Sequence, residues 1–420
     1  MKQETIKELK MKQTVKYKLE PTFEQEKHLH NMASMATKLY NTDNWIRRQE
    51  WEKTGKIPNS FKQYRILKYN HWYRLLPAQT SNEVMFNLDD NYKAWFRLKK
   101  KDKTARPPGF RKKEMLSPLA YNQQFKLNEN KLRLSLSHKY KKEHKIKLME
   151  LKLNNWKKMN GKAKWCQILF RKGNWYAHIV FEVPEPEIKL NDKVMGIDLG
   201  IINQAVTADN LGSSRIYTGK GILAVQHYFN KAIANTQSIL QKQYPKRYSS
   251  RTLRRLNLKK QRQINLALHR ISRDIVNDCV KKDIKTLVVG DIKDIRDGKS
   301  FGRKGNQKLH SWSFSKLTRQ LEYKSALAGI RFVKVSEKDT SRTCSNCNSI
   351  RTSNRIARGL YRCRTCLKVI NADVNGAKNI LKKYLQIFNP EDRSISCWSQ
   401  PLVTRQGVVP IKIQEGGRNP

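Results

Sequence analysis

The chain has 420 residues and carries 86 Lys and Arg against 35 Asp and Glu, a formal charge of +51. Hydrophobic residues make up 38%, so the mean hydropathy of -0.76 reflects a charged exterior over real cores and excludes a disordered chain. An excess of positive charge this large strains a compact fold unless a polyanion neutralises it, and no apolar run approaches the ~18 residues of a membrane span, so the partner expected is nucleic acid and not a membrane.

The length predicts two to four domains. Residues 1–10 (MKQETIKELK) read as a polar extension ahead of a second possible start at Met11, with no secretory signal. TVKYKLEP (14–21) alternates as a strand and stops at Pro21. Thr22 followed by Glu24, Gln25 and Glu26 marks a helix N-terminus, and the chain reads as helical to about residue 100. Met85, Leu88, Tyr92, Trp95 and Phe96 recur on one helix face, a pattern of a bundle core before that of a base-stacking platform. The basic run 97–113, with Pro107, Pro108 and Gly109, reads as a linker along a phosphate backbone. FKLNENKLRLSLS, KIKLMELKLN, WCQILF and WYAHIVFEV then alternate as strands, the last two joined by a tight hairpin through Arg171-Lys172-Gly173-Asn174. PEPE (184–187) marks a boundary.

From residue 193 the pattern changes. KVMGIDLGIINQAVTADN holds two short strands around Gly200, SSRIYTG a third, and a long basic helical stretch covers about 224–284. TLVVGDI (286–292) is wholly apolar, as in a sheet centre covered on both faces. The Gly/Lys/Arg-rich loop 297–310 has the composition of a lid, SFSKLTRQLEYKSALAGI forms an amphipathic helix, and RFVKVSE (331–337) is a further strand. Cys344/Cys347 and Cys363/Cys366 form two C-x-x-C knuckles, the ligand set of a tetrahedral structural Zn²⁺ site. Cys166, Cys279 and Cys397 are single and suit a reducing cytoplasm, with association to the nucleoid expected. DVNGAKNILKKYL is a last helix, and 388–420 reads as a disordered tail.

Three strands, a helix, a strand, a helix, a strand and a final helix is the order of the RNase H-like fold. In that fold carboxylates from the central strands and the last helix converge to hold two Mg²⁺ ions. Asp198 follows an apolar strand, where a solitary acid is costly without a partner. Asp373 begins the last helix, and taken alone it reads as ordinary dipole stabilisation. Joined to Asp198 and the element order, it reads as a metal ligand.

VMGIDLGIINQAVT, the ribbon CSNC…CRTC and NADVNGAKNI resemble the RuvC motifs of the TnpB family, transposon-encoded RNA-guided nucleases related to the compact type V CRISPR effectors and to Fanzor. VKYKLEPTFEQE and TLRRLNLKKQRQINLALHRISRDIV extend the resemblance over nearly the whole chain. It implies RNA-guided, Mg²⁺-dependent cleavage of double-stranded DNA beside a short flanking motif, with guide RNA and target DNA as partners. It also implies an α+β multidomain architecture. A β-barrel-like domain (11–21 and 106–190) carries a helical insertion (22–105), and a RuvC-like domain (191–338 and 371–387) carries the zinc ribbon (339–370). A monomer is expected.

One motif departs from the family pattern. Val288-Val289-Gly290-Asp291 has glycine where the family places its middle metal-binding glutamate. The site is then inactive, leaving an RNA-guided DNA binder that acts as a repressor, or Asp291 substitutes, or another carboxylate reaches in. Strand alternation points Asp291 to the wrong face. Glu337 closes the fifth strand, beside and parallel to the fourth, roughly 10 Å or two strand spacings from Asp198. Gly290 leaves its path open, so Glu337 is the preferred third ligand, its plain alternative being a strand-end charge paired with Lys338. A strand-transferring transposase is the weaker class, since it does not carry this ribbon. The segments 97–113, 139–147 and 246–270, with Arg351, Arg355, Arg358, Arg362 and Arg364 of the ribbon, are the expected nucleic-acid surfaces.

Overall fold

The computed structural model describes residues 10–388 and 402–404, apart from 189, 246–247, 293–301, 303–305, 307–312 and 358. Most of the glycine-rich loop 297–310, Arg358 and most of the tail therefore lie outside the described residues. The chain forms two compact units, Met1–Pro184 and Glu185–Pro420, divided within the PEPE stretch.

In the first unit, β1 (Lys10–Glu20) starts earlier than its alternation predicts, because Lys10 to Lys18 pair antiparallel with β7 (Asn174–Pro184). With β2 (Leu119–Tyr121), β3 (Phe125–Asn128), β4 (Lys131–Leu134), β5 (Met149–Asn154) and β6 (Lys162–Arg171) it makes a near-barrel sheet in the order β2-β6-β7-β1-β5-β4-β3. The β6–β7 hairpin turns at Lys172 and Gly173, both at positive φ (59° and 75°), the two-residue geometry that matches strand twist.

The helices of this unit begin with α1 (Phe23–Thr54), opened by a reciprocal box in which Thr22 and Gln25 each cap the other's backbone N–H. α2 (Ser60–Leu67), α3 (His71–Leu75) and α4 (Ala78–Lys101) follow, with α5 (His138–His144) between β4 and β5. Leu29, Met32, Ala36 and Leu39 of α1 share a core with Met85, Leu88, Tyr92 and Trp95 of α4, while Phe96 is 42% exposed. Each large side chain fully buried there contributes about 1.5–3 kcal/mol. Arg47 is wholly buried and bridges Asp43 (3.0 Å) and Asp89 (2.7 Å). The basic linker is strapped to α1, with Asn41 bonded to the backbone of Arg111, and Asn44 and Arg48 to that of Pro108. Arg111 lies over the Tyr40 ring and is a packing residue, whereas Arg97, Lys99, Lys103 and Arg106 face solvent.

The second unit holds a six-stranded sheet ordered β12-β11-β8-β9-β10-β16. Its strands are β8 (Val194–Asp198), β9 (Asn203–Asp209), β10 (Ser214–Thr218), β11 (Thr286–Asp291), β12 (Arg331–Ser336) and β16 (Leu402–Thr404). β11 runs parallel to β8 on one side and to β12 on the other. Within the segment 388–420, Leu402–Thr404 forms β16 and pairs in parallel with β10. The long helical stretch is two helices, α6 (Lys220–Gln243) and α7 (Arg251–Lys281). Pro245 cannot continue the first, and Ser250 caps the second by accepting from Leu253 N. α8 (Phe314–Leu327) and α9 (Ala372–Phe388) complete the unit.

Alternation along the central strands sorts the faces. Met195, Ile197, Leu287 and Val289 pack with Ile271, Ile275 and Leu321 of α7 and α8. Val194, Val288 and Val335 pack with Ile380, Leu381 and Tyr384 of α9. Residues 196, 198, 290 and 337 continue the second set, so they belong to the face that α9 covers. Among the described residues, no helix is long and apolar enough to cross a membrane.

Candidate active site and metal centre

Asp198 ends β8, and its carboxylate lies against Gly376 of α9, where an added Cβ would stand 2.6 Å from Oδ2. Two residues back along β8, a Cβ on Gly196 would stand 2.7 Å from Ala377 O, so the helix backbone rests directly on the strand. Asp373 lies in the first turn of α9 and accepts a 2.7 Å hydrogen bond from Asn203 Nδ2. Its Oδ1 is 3.7 Å from the guanidinium of Arg355. Glu337 follows β12 and folds over Gly290, so that a Cβ at 290 would fall on its Oε1 and within 2.6 Å of its Cγ. That Oε1 is buried and accepts no hydrogen bond.

Asp198 lies within reach of the charges of the other two acids. Burial, then the repulsion of Glu337 and Asp373, holds the Asp198 carboxyl well above the usual range, against the opposing pull of Arg355. Burial, then repulsion from Asp291, pushes Glu337 up to about 7. Asp291, two residues beyond Val289, shares that residue's face, away from α9, yet its charge still reaches Glu337. Among the described residues, the four cysteines alone form a group of three or more possible ligands whose donor atoms all lie within 4.8 Å of one another. The oxygens of Asp198, Glu337 and Asp373 are thus spread more widely than the ligands of one compact ion site. Hard oxygen donors, an orphaned buried carboxylate oxygen and mutual repulsion fit a divalent cation environment.

The cysteine cluster is built differently. Sγ–Sγ distances are 3.7 Å for Cys344–Cys366 and 3.5 Å for Cys347–Cys363. Four sulfurs about 2.3 Å from one ion stand about 3.8 Å apart, so the cluster has the dimensions of a tetrahedral site. Backbone N–H groups of Asn346 and Thr365 donate to Cys344 and Cys363. Although burial opposes it, the Ser349 hydroxyl and the Cys366 and Thr365 amides hold the Cys363 thiol down to about 5. The small sheet β13 (Arg355–Ala357), β14 (Leu360–Arg362) and β15 (Val369–Asn371) closes the ribbon around buried Tyr361, and Asn375 of α9 accepts from Ser345 N.

Two site neighbours escaped sequence reasoning. Asn203 shows no chemical signal beyond its place five residues after Asp198, and Arg355 was noticed only as one of several basic ribbon residues. The structure pairs both with Asp373, and Arg355 is exposed like Arg351, Arg362 and Arg364.

Two family models match the chain, "Cas12f1-like, TNB domain" over residues 314–380 and "Probable transposase" over 178–296. A CRISPR-associated endodeoxyribonuclease Cas12f1 of Sulfoacidibacillus thermotolerans is 30% identical over 221 residues, a match that spans half of each chain. The TnpB-like protein ORF457 of Acidianus two-tailed virus is 26% identical, over 94% of this chain and 91% of that one. Among solved structures, a Cas12f1–sgRNA–target DNA complex superposes with a TM-score of 0.60 at 15% identity, covering 88% of this chain and 98% of its counterpart, a likeness of fold.

Proposed function

The chain is a relative of the TnpB and Cas12f proteins, and we propose that it is an RNA-guided, Mg²⁺-dependent, transposon-associated endonuclease that cuts double-stranded DNA beside a short flanking motif. The observation that carries this reading is the Glu337 carboxylate lying over Gly290, on the sheet face that Asp198 shares. Glycine at 290 by itself argues for a lost ligand, but the volume it leaves is filled by another acid.

In this reading Asp198, Glu337 and Asp373 hold two Mg²⁺ ions and the four cysteines one structural Zn²⁺. When bound, the Mg²⁺ ions activate a water and stabilise the leaving oxygen of the phosphodiester. Asp198 and Glu337 present anionic oxygens whose repulsion a cation relieves, and the spread of the three carboxylates beyond 4.8 Å suits two ions better than one. Asn203 and Arg355 each hold one oxygen of Asp373 and fix its orientation. Gly376 lets Asp198 lie against the helix without displacement. The charge of +51 serves a guide–target duplex read through its backbone.

The test is cleavage of matched linear DNA by protein copurified with its RNA, in Mg²⁺. Cutting is expected, lost in Glu337→Ala and kept in Asp291→Ala. Activity that survives Glu337→Ala refutes the ligand assignment. No cutting beside any flanking sequence leaves the guided binder as the function.

A further inference from the structure

The first unit contains a cavity of about 440 Å³ lined by Arg48, Trp51, Glu52, Tyr92, Trp95 and Pro107. Its aromatic wall is continuous, with ring centroids of Trp51 and Trp95 4.9 Å apart and of Tyr92 and Trp95 6.2 Å apart, and Phe96 stacks on Trp51 from outside the lining at 5.8 Å. Trp95 and Tyr92 are buried and anchored, one by Nε1 on Ala105 O and the other by its hydroxyl on Asn44. Trp51 is only half-buried, and Phe96 is largely open.

Two polar features give this wall a ligand chemistry. Arg48 lines the cavity, with one Nη on Pro108 O and its guanidinium 4.6 Å over the Phe110 ring. One turn along α1, Glu52 places an exposed carboxylate at the same cavity, so a donor and an acceptor flank an aromatic floor. The rim is cationic, since Lys99 lies 5.0–5.5 Å from the Trp95 and Trp51 rings and Lys53, Lys100, Lys103 and Arg106 are exposed nearby in the chain. An aromatic face with lysines at its edge suits a base whose phosphate stays outside.

We propose that this cavity holds one unpaired guanine of a bound nucleic-acid strand, stacked on Trp51. Guanine fits the polar pair, because O6 accepts from the Arg48 guanidinium while N1–H and the N2 amine donate to Glu52. Adenine offers one amine and no adjacent carbonyl, so it meets only half of the pair. The proposal rests on the nucleic-acid reading above but not on cleavage.

The experiment measures binding of short pyrimidine single strands to the full chain in EDTA by fluorescence anisotropy, with guanine, adenine or an abasic site at the centre. Guanine is expected to tighten binding about tenfold over the abasic strand, as one stacked base does. Trp51→Leu should remove that gain, and Trp51→Phe should restore most of it. Glu52→Gln, at an exposed position, should narrow the gap between guanine and adenine. Ribose and deoxyribose versions tell whether the base belongs to RNA or to DNA. Equal binding of guanine and abasic strands, or an undiminished gain in Trp51→Leu, overturns the pocket alone. No binding of any strand overturns it together with the nucleic-acid reading.

Discussion

The cysteine ribbon and the carboxylate cluster are adjacent but specified in opposite ways. The ribbon draws its four sulfurs from residues 344–366, orients them with nearby amides and hydroxyls, and encloses them in its own small sheet. The carboxylates come from the ends of two strands and the start of a helix, and nothing local aims them at one another. They meet because β8, β11 and β12 run parallel and α9 covers one face of all three. A site closed by short loops writes its signature in spacing; a site closed by a fold writes it in alternation and element order.

Removing a sulfur should have the largest effect. Cys363→Ser is expected to take metal content from about one zinc per chain to none and to unfold the ribbon, since such sites supply about 10–16 kcal/mol of folding free energy in isolated fingers. Metal analysis and thermal melts check this; unchanged zinc would end the contrast. Gly290→Ala attacks the other site and should leave zinc intact. The new Cβ must push the Glu337 carboxylate aside, which is flexible enough to move, so stability should change little while cleavage falls roughly 10²-fold, as for a reacting group displaced by about 1 Å. A variant as active as the wild type would show that the placement of Glu337 does not matter.

The smallest effect is that of pH on the metal-free protein. Glu337 rises from 4.5 to about 7 on folding, and Asp198 is raised as well. Raised carboxyls stabilise the fold while protonated, fully so below the unfolded value, and that stability is lost as pH rises through the folded value. Melts in EDTA should therefore weaken between pH 5 and 8, by about 1–2 kcal/mol for Glu337 after allowance for its partial exposure. Glu337→Gln should flatten the profile, and parallel profiles would show that the glutamate is not perturbed.

Much of this was legible because it depends on periodicity. The period of two along VMGID, TLVVGD and RFVKVS assigns Asp198 and the residue after Ser336 to one face and Asp291 to the other. Thr22 with Gln25 announced a helix start, and the C-x-x-C pairs announced a metal site. Partnerships of single side chains were not legible. Arg111 and Arg355 looked like phosphate contacts because a guanidinium carries the same charge whether it stacks on Tyr40, pairs with Asp373 or faces solvent. Leu402–Thr404 gave no pattern, since three residues are too few to show a period, and its pairing depends on the edge that β10 presents.

The contact between Glu337 and Gly290 also makes the two positions epistatic. A side chain at 290 and the carboxylate of 337 claim the same volume, so neither residue has an effect that can be stated without the other. An acid could not be added on β12 while a bulky residue stood on β11 without one of them giving way. Sequences that keep an acid in this place can therefore exchange its donor strand only by coupled change, and a comparison that scores each column separately would mistake the exchange for loss.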